Sequence, residues 1–265
     1  KDYMVENLSN GAVLYGGYPR NTIFFNEERR NFIREKYRLS TKRVYAYMPT
    51  FRGQHTEGGT DKNTIYLTYY LYELERLLNE DEIFYLNLHP VAKKNIDFKA
   101  FKKIRPFPVN CETYEFLNAA DCLVTDYSSV LFDYACTEKK VVLFCYDREE
   151  YLKDRGMYMD MDELPFPKVY TAESLIAELR AEKHYDDSRF IQTYCPYDNS
   201  SATQQICDRF ILNQNTFLKE EKILNNGKEN VIIYAGNLAG NGVTASLRNL
   251  LNTIDVTKRN YYISF

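Results

Sequence analysis

Cys122-Leu123-Val124-Thr125-Asp126-Tyr127-Ser128-Ser129-Val130-Leu131-Phe132-Asp133, followed by Val141-Val142-Leu143-Phe144-Cys145, sets the fold class. Cys122–Thr125 and Val141–Cys145 are too short for ordinary helices and show no polar face. Such runs read as strands buried on both sides. Between them, Ser128–Thr137 reads as a helix opened by two serines. Strand, helix, strand is the unit from which parallel sheets are built.

The alternation extends outward in both directions. Arg43–Met48 reads as a strand stopped by Pro49, Thr64–Leu78 as a helix, and Ile83–Leu88 as a strand ending at His89-Pro90. Asn26–Tyr37 reads as a helix with Asn26 as its N-cap. Cys111–Ala120, Glu149–Lys153, Ala172–Glu182 and Ser201–Leu212 read as further helices, while residues 91–110 look basic and irregular. Ala12–Tyr15 is a short strand candidate. The expected class is α/β: a Rossmann-like parallel sheet with helices on both faces.

Residues 1–212 read as one domain and the polar, charged stretch 213–229 as a linker. Residues 230–265 read as the opening of a further Rossmann-like unit: strand Val231–Tyr234, Gly-rich loop Gly236–Gly242, helix Thr244–Leu251 and second strand Tyr261–Phe265. That loop lacks the glycine spacing of a dinucleotide fingerprint. Beginning at Lys1 and stopping inside this unit, the chain is expected to be a fragment.

The 265 residues carry 34 Lys+Arg against 37 Asp+Glu, so the formal net charge is −3 and no basic excess favours general nucleic-acid binding. A hydrophobic share of 45% excludes a disordered tail or a collagen-like fibre. The six cysteines form no CxxC pair and have no histidine at ligand spacing, so they read as reduced thiols and no metal is expected. No apolar run is long enough for a membrane span, and no signal peptide is visible. Tyr66, Tyr69, Tyr70 and Tyr72 read as packing residues rather than a base-stacking platform.

The residues that carry chemistry gather at predicted strand ends. In doubly wound sheets that edge binds ligands, and a helix N-terminus there suits phosphate. Ser128 and Ser129 open such a helix after Asp126; the plainer reading is that Asp126 or Ser128 is an N-cap. His89 ends another strand beside Lys93 and Lys94, as an anion or proton partner or as an ordinary loop histidine. Lys153 and Arg155 follow the strand Val141–Cys145, with Gly156 allowing a turn, or else form a solvated helix end. Gly17-Tyr18-Pro19-Arg20-Asn21 and Tyr47-Met48-Pro49-Thr50-Phe51-Arg52 each place an arginine after a proline at a strand end, where it can grip phosphate bidentately. His89, Lys93, Arg52, Ser128, Ser129, Lys153 and Arg155 all fall at one predicted edge, which favours a diphosphate ligand.

These motifs, with Tyr197-Asp198-Asn199-Ser200-Ser201-Ala202-Thr203 after them, resemble in content and order the CDP-glycerol glycerophosphotransferases, the teichoic-acid primases and polymerases, over residues 10–212. The resemblance implies the C-terminal, donor-binding half of a two-domain GT-B enzyme. Such enzymes transfer glycerol phosphate from CDP-glycerol to a polyol-phosphate or lipid-linked acceptor in wall or capsule synthesis, releasing CMP. It implies that His89 contacts the diphosphate and stabilises the leaving CMP, and that Ser128 and Ser129 bind phosphate. Lys153 and Arg155 would neutralise charge, with Arg20, Thr50, Arg52, Lys93, Asp126, Asp133 and Gly156 also in the donor pocket. No metal or other cofactor is implied. The parent would be a cytoplasmic protein, peripheral on the inner face of the membrane. The family's Trp-His-Gly-Thr-Pro motif, carrying the candidate base, is absent, so the N-terminal acceptor domain is read as missing and the isolated chain as a binder without turnover. Gly240–Leu247 resembles the start of a glycosyltransferase. A UDP-sugar glycosyltransferase and a non-catalytic nucleotide-binding module are the alternatives.

Overall fold

The computed structural model describes residues 12–52, 62–154, 159–222, 227–234 and 242–264. The chain divides into two units, one spanning Gly17–Asn215 and the other combining the chain up to Gly16 with Thr216–Phe265. In the second unit, β1 (Ala12–Leu14) pairs antiparallel with β8 (Glu220–Lys222). The strand read at Ala12–Tyr15 therefore joins no large sheet, and a strand lies within the stretch read as a linker.

The larger unit is built on six parallel strands in the order β4-β3-β2-β5-β6-β7. They are β2 (Arg43–Tyr47), β3 (Glu82–Leu86), β4 (Ile104–Pro106), β5 (Cys122–Thr125), β6 (Lys140–Phe144) and β7 (Lys168–Val169). The expected Rossmann-like parallel sheet is thus present. Side chains alternate across a strand, and β2 shows the result. Val44 and Ala46 join one core with Ile33, Phe116, Leu123 and Leu143, while Tyr45 and Tyr47 join another with Leu71, Phe84, Val142 and Leu175. β3, β5 and β6 are buried along their whole length, which is why they carry no polar alternation.

Helices cover both faces. Glu27–Lys36 starts at Asn26, whose side chain accepts from the Arg29 N–H at 2.8 Å. Thr113–Asn118 and Val130–Ala135 pack on that same face. Lys62–Leu77 and Ala172–Arg180 cover the other, the latter closed by a Thr171–Ser174 capping box.

β4 and β7 were not expected. They are edge strands of three and two residues, one ending in proline, and strands so short leave little periodic signal. The helix Ser188–Tyr194 also falls outside the expected elements. The tyrosine stripe departs from its reading as well. Leu67, Leu71 and Leu74 form the buried face of Lys62–Leu77, and Tyr66, Tyr69 and Tyr72 are exposed. At 100° per residue these sets lie on different sides of the helix. Tyr70 packs inward as expected, against Phe144 and Tyr146, and the exposed Tyr72 still lays its ring against Phe101.

In the smaller unit, β9 (Glu229–Tyr234) and β10 (Arg259–Ser264) pair in parallel around the helix Gly242–Leu251. This is the β-loop-α-β order expected for residues 230–265, although Gly236–Asn241 of its loop lie outside the described residues. All six cysteines are free. Among the described residues no helix is long and apolar enough to cross a membrane.

Candidate functional site

From β2 the chain runs outward through β3 to β4, then crosses back to β5 on the other side of β2 and continues to β6 and β7. The direction of winding reverses between β2 and β5, and the crevice beyond the carboxyl ends of those strands is where such sheets bind ligands. The loops after β2, β3, β5 and β6 carry Thr50–Arg52, His89, Asp126–Ser129 and Asp147.

The loops after β2, β5 and β6 are tied together by one buried cluster. Asp126 accepts from the Thr50 N–H at 2.9 Å, the Thr50 hydroxyl at 2.6 Å and the Arg52 Nη2 at 2.7 Å. Arg52 also donates through Nη2 to Asp147 Oδ1 at 3.0 Å, through Nε to Asp147 Oδ2, and through Nη1 to the Thr50 carbonyl at 2.8 Å. The Tyr127 hydroxyl donates to Asp147 Oδ1 at 3.0 Å. Burial disfavours the Arg52 charge, but Asp126 and Asp147 outweigh it and hold the guanidinium more firmly protonated than usual. Tyr127 and Tyr146 are pushed well above the ordinary phenol range, chiefly by burial.

Two expected donor-pocket residues are therefore employed differently. The Arg52 and Asp126 side chains are 8% and 0% exposed, and each is held by protein partners. A guanidinium locked between two carboxylates does not offer the open cationic face foreseen for a phosphate arginine. Asp147, by contrast, was not singled out, although it is the second anchor of this cluster. Its only sequence signal was its place directly after the strand run Val141–Cys145 and Tyr146.

The remaining site residues are more open. His89 is exposed and its ring lies 4.2 Å from that of Phe51, so the loop after β3 meets the loop after β2. The His89 carbonyl starts the short helical turn Pro90–Lys93, accepting from the Lys93 N–H at 3.0 Å. Ser129 is the N-cap residue of Val130–Ala135 but makes no side-chain cap, and Ser128 Oγ accepts only a long 3.4 Å bond from the Val130 N–H. The plainer N-cap reading thus gains little support from the geometry. Lys153 is exposed in the last turn of Arg148–Asp154. Arg155 and Gly156 lie outside the described residues.

A second cluster adjoins the same helix. Asp133 follows Ser129 by one helical turn, so both occupy one face. Asp133 accepts from Arg20 Nη2 at 2.9 Å and from the Tyr114 hydroxyl at 2.7 Å. The hydrogen bond to Asp133 raises the Arg20 pKa above its ordinary value. Asp198 accepts from the Tyr18 N–H at 2.7 Å and from Asn21 Nδ2 at 3.2 Å, and burial raises its pKa. Gly17 touches Tyr197 and Asp198 so closely that an added Cβ would sit 2.8 Å from Asp198 Cα. Gly17–Asn21, Asp133 and Asp198, far apart in the chain, thus form one constellation.

Comparison with known proteins fits this layout. A profile of the family "CDP-Glycerol:Poly(glycerophosphate) glycerophosphotransferase" matches residues 5–212. A teichoic acid poly(ribitol-phosphate) polymerase of Bacillus spizizenii is 28% identical over 225 residues, covering 80% of this chain and 35% of that protein. A teichoic acid poly(glycerol phosphate) polymerase of Staphylococcus epidermidis is 31% identical over 225 residues, covering 76% of this chain and 30% of that protein. The crystallised wall teichoic acid polymerase TagF superposes with a TM-score of 0.64 at 28% identity, covering 76% of this chain and 52% of that one. The chain spans about half or less of the length of these relatives. With its motifs, its strand-end site and this match in hand, the chain belongs to the CDP-glycerol:poly(glycerophosphate) glycerophosphotransferase family.

Proposed function

We propose that this chain supplies the donor-binding part of an enzyme that transfers glycerol phosphate from CDP-glycerol to a polyol-phosphate acceptor, releasing CMP. The observation that supports the reading is the switch-point crevice, at which the loops carrying Thr50, His89 and Ser128-Ser129 follow the carboxyl ends of β2, β3 and β5, in a chain of this family. In the reaction an acceptor hydroxyl oxygen bonds to the phosphorus bearing glycerol, and the bond from that phosphorus to the CMP oxygen breaks. The hydroxyl proton passes to a base, and the leaving CMP takes the bond's electrons. Such chemistry needs positioning and stabilisation of charge on the leaving group. His89 stabilises the departing CMP phosphate. The Ser128 and Ser129 hydroxyls at the start of that helix hold phosphate oxygens, and Lys93, Arg20, Lys153 and Arg155 supply positive charge. An acceptor-binding domain carried elsewhere in the parent supplies the base, and the parent works at the cytoplasmic face of the membrane. A variant of the TagF polymerase soaked with CDPG, 30% identical with a TM-score of 0.60, supports the choice of donor.

Calorimetric titration decides the donor. CDP-glycerol is expected to bind and UDP-sugars are not; UDP-sugar binding with none for CDP-glycerol overturns the proposal. Because relatives include ribitol-phosphate enzymes, CDP-ribitol is the third titrant, and preference for it changes the polyol but not the reaction class.

A further inference from the structure

The cluster around Arg52 has a charge balance that does not suit an anion ligand. One guanidinium and two carboxylates, with side chains 8%, 0% and 8% exposed for Arg52, Asp126 and Asp147, leave a buried net charge of about −1. The rings of Tyr127, Tyr146 and Tyr151 lie 5.4, 5.3 and 5.9 Å from the guanidinium carbon and wall it in. Tyr127 and Tyr151 stack on each other at 3.8 Å. A diphosphate at this edge gains no Coulomb attraction from such a cluster, so any contribution to binding is geometric.

The geometry is that of a tie between three strand ends. Arg52 and Thr50 belong to the loop after β2, which also places Phe51 against His89. Asp126 belongs to the loop after β5, immediately before Tyr127-Ser128-Ser129, and its Oδ1 also accepts from the Tyr127 N–H at 2.5 Å. Asp147 ends the segment after β6 and immediately precedes the helix Arg148–Asp154 that carries Lys153. We propose that Arg52 and Asp147 are positioning residues that hold these three loops in register for the donor diphosphate without touching it. This rests on the CDP-glycerol reading of the crevice.

The proposal reverses the sign of a simple electrostatic expectation. Removing a carboxylate beside an anion site should tighten an anionic ligand. Positioning requires the opposite: Asp147→Asn weakens CDP-glycerol binding by about tenfold, the scale of coupling within one ion-pair network. Asp147→Glu, which restores the carboxylate, recovers part of the affinity. Arg52→Met also weakens binding, and the Arg52→Met/Asp147→Asn double variant is no worse than Arg52→Met alone, because one frame is broken once. The measurement is calorimetry with CDP-glycerol on the whole chain, with melting curves confirming folding. Asp147→Asn is isosteric and keeps the Arg52–Asp126 pair, so it carries the test should Arg52→Met fail to fold. Unchanged or tighter binding by folded Asp147→Asn overturns the positioning role while leaving the donor reading intact. An unmodified chain that binds no CDP-glycerol overturns the donor reading first and this inference with it.

Discussion

Around Pro19-Arg20 the guanidinium stays 57% exposed against one carboxylate, whereas around Pro49–Arg52 it is 8% exposed between two. The local sequences are alike: a proline ends an extended segment and an arginine follows within three residues. Arg20 lies over the rings of Tyr18 and Tyr114, 5.2 and 5.9 Å from their centres, and Tyr18 is itself exposed. Arg52 is enclosed by three tyrosines and bridges three strand-end loops. The position of an arginine relative to the sheet thus sets its surroundings. Over the switch point between β2 and β5 it is swallowed by the frame. On the 3₁₀ segment Pro19–Phe25, outside the sheet, it keeps an open face.

The strongest test of this contrast is Arg52→Met. It strands two buried carboxylates, and breaking a buried pair in this way costs about 3–5 kcal/mol, read as a loss of denaturant stability. A cost below about 1 kcal/mol would place Arg52 in the same class as Arg20. Next is Gly17→Ala, which drives a Cβ into the backbone of Tyr197 and Asp198, where no flexible side chain can yield. About 1–3 kcal/mol is expected, the usual range for overpacking. The same change should weaken donor binding, because the segment carrying Arg20 must shift.

Arg180 and Glu82, at the opposite edge of the sheet, provide an intermediate case, since Glu82 is buried but Arg180 is 36% exposed. Burial alone would raise the Glu82 pKa, but bonds from Arg180, the Asn79 N–H and the Tyr45 hydroxyl outweigh it and hold the carboxyl below its ordinary value. A lowered carboxyl pKa adds stability above the unfolded-state value and loses it as pH falls through the folded one. Glu82→Gln should cost about 1–2 kcal/mol near neutral pH and flatten the decline in stability below about pH 4.5. Acid denaturation curves of the two proteins check this; parallel curves would remove Glu82 from the account. The smallest stability effect belongs to Arg20→Met, about 1 kcal/mol or less, because Arg20 is mostly exposed and the Tyr114 hydroxyl still donates to the buried Asp133. Its effect should appear instead as weaker CDP-glycerol binding with nearly unchanged melting, whereas Arg52→Met lowers both.

The βαβ alternation, the Asn26 cap and the gathering of His89, Ser128 and Ser129 at strand ends were legible along the chain. They depend on local periodicity and on which residue follows a strand. The short edge strands β4 and β7 were not, because two or three residues carry no period. Nor was the outward face of the tyrosine helix, where leucines at the proper spacing won the core. Asp147 carries no local signal because its partner Arg52 is 95 residues away. The Gly17–Asn21 segment could be read as a motif, but not as a partner of Asp133 and Asp198, which lie 113 and 177 positions from Arg20 and Asn21.

Element order and short motifs suffice to specify the parallel α/β class, the strand-end edge where the candidate residues gather and the family. Which cations stay open to solvent is settled instead by tertiary packing. Whether a guanidinium meets solvent or two buried carboxylates depends on contacts between loops distant in sequence, and local sequence pattern carries no record of that distance.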